Sequence, residues 1–185
     1  LFLSPTASGK SFIIYLLSRH HVEQGRKVLI VVPTTSLVSQ MSSDFVEYNK
    51  NRPLDIHKIM GGVDKNVDAD YTVTTWQSIY KLKKDWYEKF DVVIGDEAHL
   101  FKAQSLVTIM SSCINSKYRI GLTGTLDGTK THKLVLEGLF GITEKVTTTK
   151  ELMDNKQIAD FKIKCLVISF VYRYVIHITK SFYIM

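Results

Sequence analysis

The chain's 185 residues, 45% hydrophobic and 23% charged, suffice for one sizeable core and exclude a disordered or fibrous polymer. Cys113 and Cys165 have no C-x-x-C spacing and do not form the framework of a short secreted protein, which argues against disulfide and zinc scaffolds and for a reducing, cytoplasmic setting. A formal net charge of +6 suits a polyanionic partner, although such a balance also occurs in proteins that never touch nucleic acid.

Residues 1–3 read as a short apolar strand and residues 11–17 as a helix with apolar periodicity. Between them lies Pro5-Thr6-Ala7-Ser8-Gly9-Lys10-Ser11, in the strand-loop-helix setting of a phosphate-binding loop. Backbone N–H groups in a tight loop must converge on an anion, so Gly9 allows a geometry that a side chain would block. Lys10 then supplies a compact positive charge, the following helix N-terminus adds its partial charge, and Ser11 offers a hydroxyl to Mg²⁺. Ser4 stands where the general pattern G-x-x-x-x-G-K-[ST] has its first glycine, and an ordinary turn before a helix is the competing reading. The apolar start is too short for a signal peptide, and a strand feeding such a loop is expected to be longer, so further N-terminal sequence is expected.

Residues 27–32 form a β-branched strand, followed over 36–48 by a helix with Leu37, Met41, Phe45 and Tyr48 at helical spacing. A weaker strand over 56–60 ends at Gly61-Gly62, and a polar loop covers 64–70. The strand 71–75 ends at Thr75-Trp76-Gln77 and leads into a helix through Ile79 and Tyr80. Residues 91–95 read as a buried strand that delivers Asp96-Glu97-Ala98-His99 at its C-terminal end. There Asp96 would hold Mg²⁺ and Glu97 would orient or deprotonate an attacking water, while an isolated acidic pair can equally be a solvated turn. His99 reads as a sensor of the γ-phosphate or as a packed imidazole. A helix over 103–114 precedes a strand over 118–122 that ends in Thr123-Gly124-Thr125. Residues 165–178 are apolar but interrupted by Arg173, too short and too charged to span a bilayer, and read as one or two strands.

Strands alternating with helices specify an α/β fold with a right-handed, largely parallel sheet flanked by helices. In such a sheet Thr34, Gly62, Thr75, Trp76, Gln77, the acidic pair, Thr123 and Thr125 gather on one edge, where small hydroxyls and free amides suit a nucleic-acid backbone. Trp76 either stacks a base or packs in the core, and Lys81, Lys83 and Lys84 are either part of that surface or a solvated helix face.

Taken in order, Pro5 to Ser11, Pro33-Thr34-Thr35-Ser36-Leu37 with Gln40, Thr75-Trp76-Gln77-Ser78, Asp96-Glu97-Ala98-His99 and Thr123-Gly124-Thr125 resemble the first RecA-like lobe of superfamily 2 helicases of the DEAH-box kind. The wording of 33–45, 75–77 and 140–153 is most like phage repair and recombination helicases, and the resemblance covers 1–163. It implies a RecA-like P-loop NTPase lobe over 1–150, a connection over 151–163 towards a second lobe that this chain lacks, and a tail of uncertain origin over 164–185. It also implies ATP and Mg²⁺ as cofactors and translocation on single-stranded or branched DNA, with RNA as an alternative. Lys10 and Ser11 would then bind the triphosphate and metal, Thr34, Gly62, Thr75 and Gln77 would contact the backbone, and Thr123 and Thr125 would couple nucleotide state to DNA. Without the second lobe's arginines, little turnover is expected. A P-loop kinase and a non-catalytic nucleic-acid-binding module remain the competing readings, the former disfavoured by the lack of an arginine-rich lid segment.

Overall fold

The computed structural model describes all residues except 6, 51, 102, 126–129, 160–166, 172–173 and 179–185, and only the backbone of 103, 130–132, 167–171 and 174–178. It divides into two units, Leu1–Thr147 and Thr148–Met185. The first is built on seven strands, β1 (Phe2–Leu3), β2 (Val28–Val32), β3 (Ile56–Ile59), β4 (Tyr71–Thr75), β5 (Val92–Gly95), β6 (Tyr118–Thr123) and β7 (Glu144–Lys145). All pair in parallel, in the order β3-β4-β2-β5-β6-β1-β7. A parallel sheet covered on both faces needs continuous apolar strands. Accordingly, β2, Val-Leu-Ile-Val-Val, is buried at every position.

Period-two alternation sends these side chains to two cores. Val28, Ile30 and Val32 pack with Ile14, Tyr15, Val38, Met41 and Phe45 of helices α1 (Lys10–Val22) and α2 (Thr35–Tyr48). Leu29, Val31 and Val93 pack on the opposite face with α3 (Trp76–Ile79), α4 (Lys84–Tyr87), α5 (Ala103–Ser112) and α6 (Lys130–Phe140), through Ile79, Tyr87, Ile109, Met110 and Leu136 among others. Truncating a fully buried residue such as Ile30 or Ile94 to alanine would cost about 2–5 kcal/mol. Phe140 lies flat on the backbone of β5 and β6: a Cβ on Gly95 would sit 3.2 Å from its ring and one on Gly121 only 2.8 Å.

α4, α6 and β7 have no counterpart in the sequence reading. In α6 the apolar period is blurred by Gly138 and by Leu134, which is 67% exposed. β7 has two exposed charged residues and is a strand only through its backbone, with Glu144 N–H donating to Leu1 O at 2.8 Å and Val146 N–H to Leu3 O at 2.9 Å.

The second unit opens with α7 (Thr149–Asp154), started by a capping box in which Thr148 Oγ1 accepts from Glu151 N and Glu151 Oε2 accepts from Thr148 N. β8 (Val167–Val171) and β9 (Tyr174–Ile178) form an antiparallel hairpin, so the apolar tail holds two strands. Among the described residues, no helix is long and apolar enough to cross a membrane.

Candidate nucleotide site and nucleic-acid edge

The sheet order decides which sequence motifs meet. Because β6 lies between β1 and β5, the loop after β1 and the acidic pair after β5 flank Thr123-Gly124 at the end of β6. Lys10 Nζ accordingly reaches Glu97 Oε1 at 3.0 Å and donates to Ser4 O at 3.3 Å, and Gly124 N–H donates to Glu97 Oε2 at 3.2 Å. A Cβ on Gly124 would stand 3.4 Å from Lys10 Nζ, 3.7 Å from Ser4 O and 3.8 Å from Glu97 Oε2, filling the space these groups surround.

The loop is shaped by left-handed backbone at Ala7 (φ 64°) and Gly9 (φ 79°). Gly9 is the N-cap of α1 and provides no side-chain cap, and the first turn holds no acidic residue, so the helix's first N–H groups point at the loop without a side-chain acceptor. This is the arrangement that favours an anion. Ser4, at the position where the general motif has glycine, is fully buried and braces the loop: Ser8 Oγ donates to Pro5 O at 2.6 Å, which leaves Ser4 Oγ as the donor to Ser8 Oγ, also at 2.6 Å. That brace was hidden in the sequence, where Ser4 registered only as a departure from the pattern. Thr6 lies outside the described residues.

Asp96 is nearly buried, and its Oδ1 accepts from Glu97 N–H at 3.0 Å. Burial, reinforced by the adjacent Glu97 charge, pushes its carboxyl up to about 6, against the opposing pull of the Glu97 amide and Lys10. Glu97 itself adopts φ 47°, left-handed backbone rare for a residue with a side chain and found where a site holds strain. His99, on the 3₁₀ turn Ala98–Leu100, places Nδ1 2.6 Å from Thr123 Oγ1 and 3.4 Å from Glu97 Oε2. Since Thr123 Oγ1 donates to Thr125 O at 2.7 Å, the shared proton of the His99 contact sits on Nδ1. Lys10, Glu97, His99, Thr123 and Thr125 therefore form one connected network.

Ser11 is placed differently from the reading that aims it at a metal. Its Oγ lies 3.0 Å from the hydroxyl of Tyr48 at the end of α2. A cationic lysine beside a buried and a half-buried carboxylate, a glycine-lined gap and an uncapped helix start is nonetheless a donor set that fits a magnesium-bound triphosphate. Lys10 and the α1 amides would hold the phosphates, and Asp96 would hold the metal. Ser11 would join it by giving up Tyr48.

The other edge residues follow from register. Ile59 pairs with Thr74 and Val32 with Thr75, so the segments after β3, β2 and β4 emerge side by side. Gly62 is exposed with φ 81°, in a turn closed by Val63 N–H to Met60 O at 3.1 Å. Thr34 is the N-cap of α2, its Oγ1 accepting from Leu37 N at 3.3 Å. Gln77 is exposed and its Nε2 donates to Pro33 O at 3.4 Å, while the buried Thr75 pairs its hydroxyl with Ser78 at 2.9 Å. Trp76 is partly buried, packed on the core and edge-on to Tyr80 at 5.9 Å.

A profile of the family described as type III restriction enzyme, res subunit, matches residues 1–128. The chain is 37% identical over 171 residues to the ATP-dependent DNA helicase uvsW of Enterobacteria phage T4, covering 90% of this chain and 34% of that protein. It is 31% identical over 173 residues to the DNA 3'-5' translocase XPB2 of Sulfurisphaera tokodaii, covering 91% of this chain and 36% of that one. The chain thus spans about a third of the length of these curated relatives. The crystal structure of T4 UvsW superposes with a TM-score of 0.71 at 38% identity, over 81% of this chain and 31% of that chain. The Hef helicase domain of Pyrococcus furiosus shares the fold, with a TM-score of 0.65 at 23% identity over 80% of this chain and 35% of that one. The chain belongs to the type III restriction enzyme res subunit family, as a helicase ATP-binding domain of the first RecA-like lobe of superfamily 2, similar to that of UvsW.

Proposed function

We propose that this lobe binds ATP with Mg²⁺ and serves an ATP-dependent helicase or translocase acting on single-stranded or branched DNA. The observation that carries the reading is the meeting of Lys10, Glu97 and Gly124 at the ends of three different strands. Lys10 would hold the outer phosphates, Asp96 the metal, and Glu97 the attacking water. Bound Mg²⁺ would neutralise charge on the phosphates. The His99–Thr123–Thr125 chain of hydrogen bonds would pass the state of that site to the edge where Thr34, Gly62 and Gln77 would touch the DNA backbone, with the buried Thr75 supporting that edge through Ser78.

Turnover by the 185-residue chain alone would be slight. Among the described residues each arginine is placed elsewhere: Arg19 on Glu23, Arg26 over the Tyr118 ring, Arg119 on the carbonyls of Cys113 and Ser116, and Arg52 in a pocket beside Asn49. In related phosphoryl-transfer sites a supplied arginine is worth about 10³–10⁵ in rate. The purified chain tests the reading directly: Mg-ATP binding lost on Lys10→Ala, DNA binding whose affinity falls steeply with salt, and hydrolysis near background. Nucleotide binding that ignores Lys10→Ala would refute it.

A further inference from the structure

The loop between β3 and β4 is built against the usual preference of its residues. Over residues 61–68 its two valines, Val63 and Val67, stand 37% and 38% exposed, while Lys65 alone is partly buried. Among the described residues the Lys65 ammonium forms no ion pair. It donates instead to the Ser78 carbonyl of α3 at 2.9 Å, and the Ser78 hydroxyl lies 2.9 Å from that of Thr75. The Lys65 carbonyl in turn accepts the Trp86 indole N–H at 2.6 Å. Two residues on, Val67 O accepts from Lys89 Nζ at 2.9 Å, and that ammonium stands 5.2 Å from the Trp86 ring centre. The same loop begins at Gly61-Gly62, where a Cβ on either glycine would meet nothing within 4 Å, so the turn has no packing of its own.

We propose that Lys65 and Trp86 are positioning residues for a DNA strand: they clamp the loop so that the Gly61-Gly62 turn keeps a fixed spacing from Gln77, just after β4. This rests on the nucleic-acid reading above. Phosphates recur evenly along a strand, so two protein segments that grip the same strand must hold their own separation. A glycine pair cannot supply that stiffness, because glycine has the most backbone freedom to lose on ordering. The clamp supplies it before the strand arrives. Lys65 ties the loop to α3, which carries Gln77, and Trp86 ties down the backbone of Lys65 itself, so neither segment moves without the other. Ser78 O is among the carbonyls that so short a helix leaves without an internal partner, which is why a lysine suits it. Turning a lysine inward and two valines outward costs stability, the pattern found where a site sets the requirement.

Fluorescence anisotropy of a labelled single-stranded oligothymidylate with the 185-residue chain, across a salt series, tests this. Trp86→Phe keeps a ring and drops the N–H, and Lys65→Met keeps the stem and drops the ammonium. Each is expected to weaken binding about five- to tenfold, the worth of one hydrogen bond. The slope of log affinity against log salt should not change, because no phosphate contact is lost. The double variant should lose little more than either single one, since both open the same clamp. Mg-ATP affinity should hold, and the melting temperature should stay within about 4 °C. The proposal is overturned if both variants bind as the wild type does, if the two losses add in full, or if Mg-ATP binding falls in parallel. It is also overturned if Lys65→Met flattens the salt slope by about 0.7, the mark of a direct phosphate ligand on a single strand. Should Trp86→Phe fail to fold, Lys65→Met on the loop carries the test. A wild-type chain that binds no strand overturns the nucleic-acid reading itself, an outcome distinct from a chain that binds the strand and ignores both variants.

Discussion

Lys10 and Glu97, from the start and the middle of the chain, form an ion pair of 3.0 Å with both side chains largely shielded from water. The pair sets two demands on one ammonium, because the group that would hold phosphates is already held by a carboxylate. Which demand dominates can be read from mutants. Lys10→Ala removes the cation and should weaken Mg-ATP about 10- to 100-fold, the range for a charge-assisted contact. Glu97→Gln removes only the competitor, so affinity should stay level or rise. Calorimetry on the two variants checks this, and an equal loss in both would show that the pair acts as a structural tie.

Asp96 carries its charge at a cost. Its carboxyl, pushed up to about 6 by burial and Glu97 even with Lys10 nearby, stands about 3 kcal/mol uphill at neutral pH when no metal is bound. Asp96→Asn keeps the oxygen that accepts the Glu97 amide and removes the buried charge. Its melting temperature in metal-free buffer at neutral pH should rise by about 6–12 °C. With saturating Mg-ATP the order should reverse, since only the wild type gains the stabilisation of a bound ligand.

His21 makes the fold sensitive to mild acid. It is buried in α1, receives a hydrogen bond from Arg26 at Nδ1 over 3.0 Å, and lies 4.5 Å from the Tyr118 ring. Burial first, then the Arg26 and His20 charges, hold its pKa below the ordinary 6.5. The unfolded chain therefore binds a proton where the folded one does not. Stability is complete above about pH 6.5 and falls as the pH drops through the folded value. Urea denaturation at about pH 7.5 and 5.5 should show this loss, and His21→Gln should flatten it.

The second core is closed by contact between a ring and bare backbone. Gly121→Ala would bring a methyl to 2.8 Å from Leu1 Cδ1 and from Phe140 Cγ, overpacking worth about 1–3 kcal/mol. A fall in melting temperature of about 2–4 °C per kcal/mol is expected. Phe140→Leu in the same chain should recover part of it by shrinking the ring side of the clash.

These sites differ in how far the sequence discloses them. Strands β2, β4, β5 and β6 announce themselves as apolar or β-branched runs, and each motif falls at the strand end where the reading puts it. The order of the strands is not written in any run of residues. That His99 would bond Thr123, and Gly124 would bond Glu97, depends on β6 lying between β1 and β5. Local hydrogen bonding is equally silent: Thr34 as a helix cap, Ser4 as a loop brace and Ser11 turned to Tyr48 all follow from short-range geometry that leaves no periodic trace.

β1 leaves the ribosome before the other six strands of its sheet, yet its neighbours there are β6 and β7, which end at Thr123 and Lys145. During synthesis, then, the loop proposed to hold phosphate has no wall to close against until almost the whole lobe has emerged. Such long-range pairing is slow, and a nascent chain halted before β6 would carry the complete loop motif while being unable to hold a nucleotide.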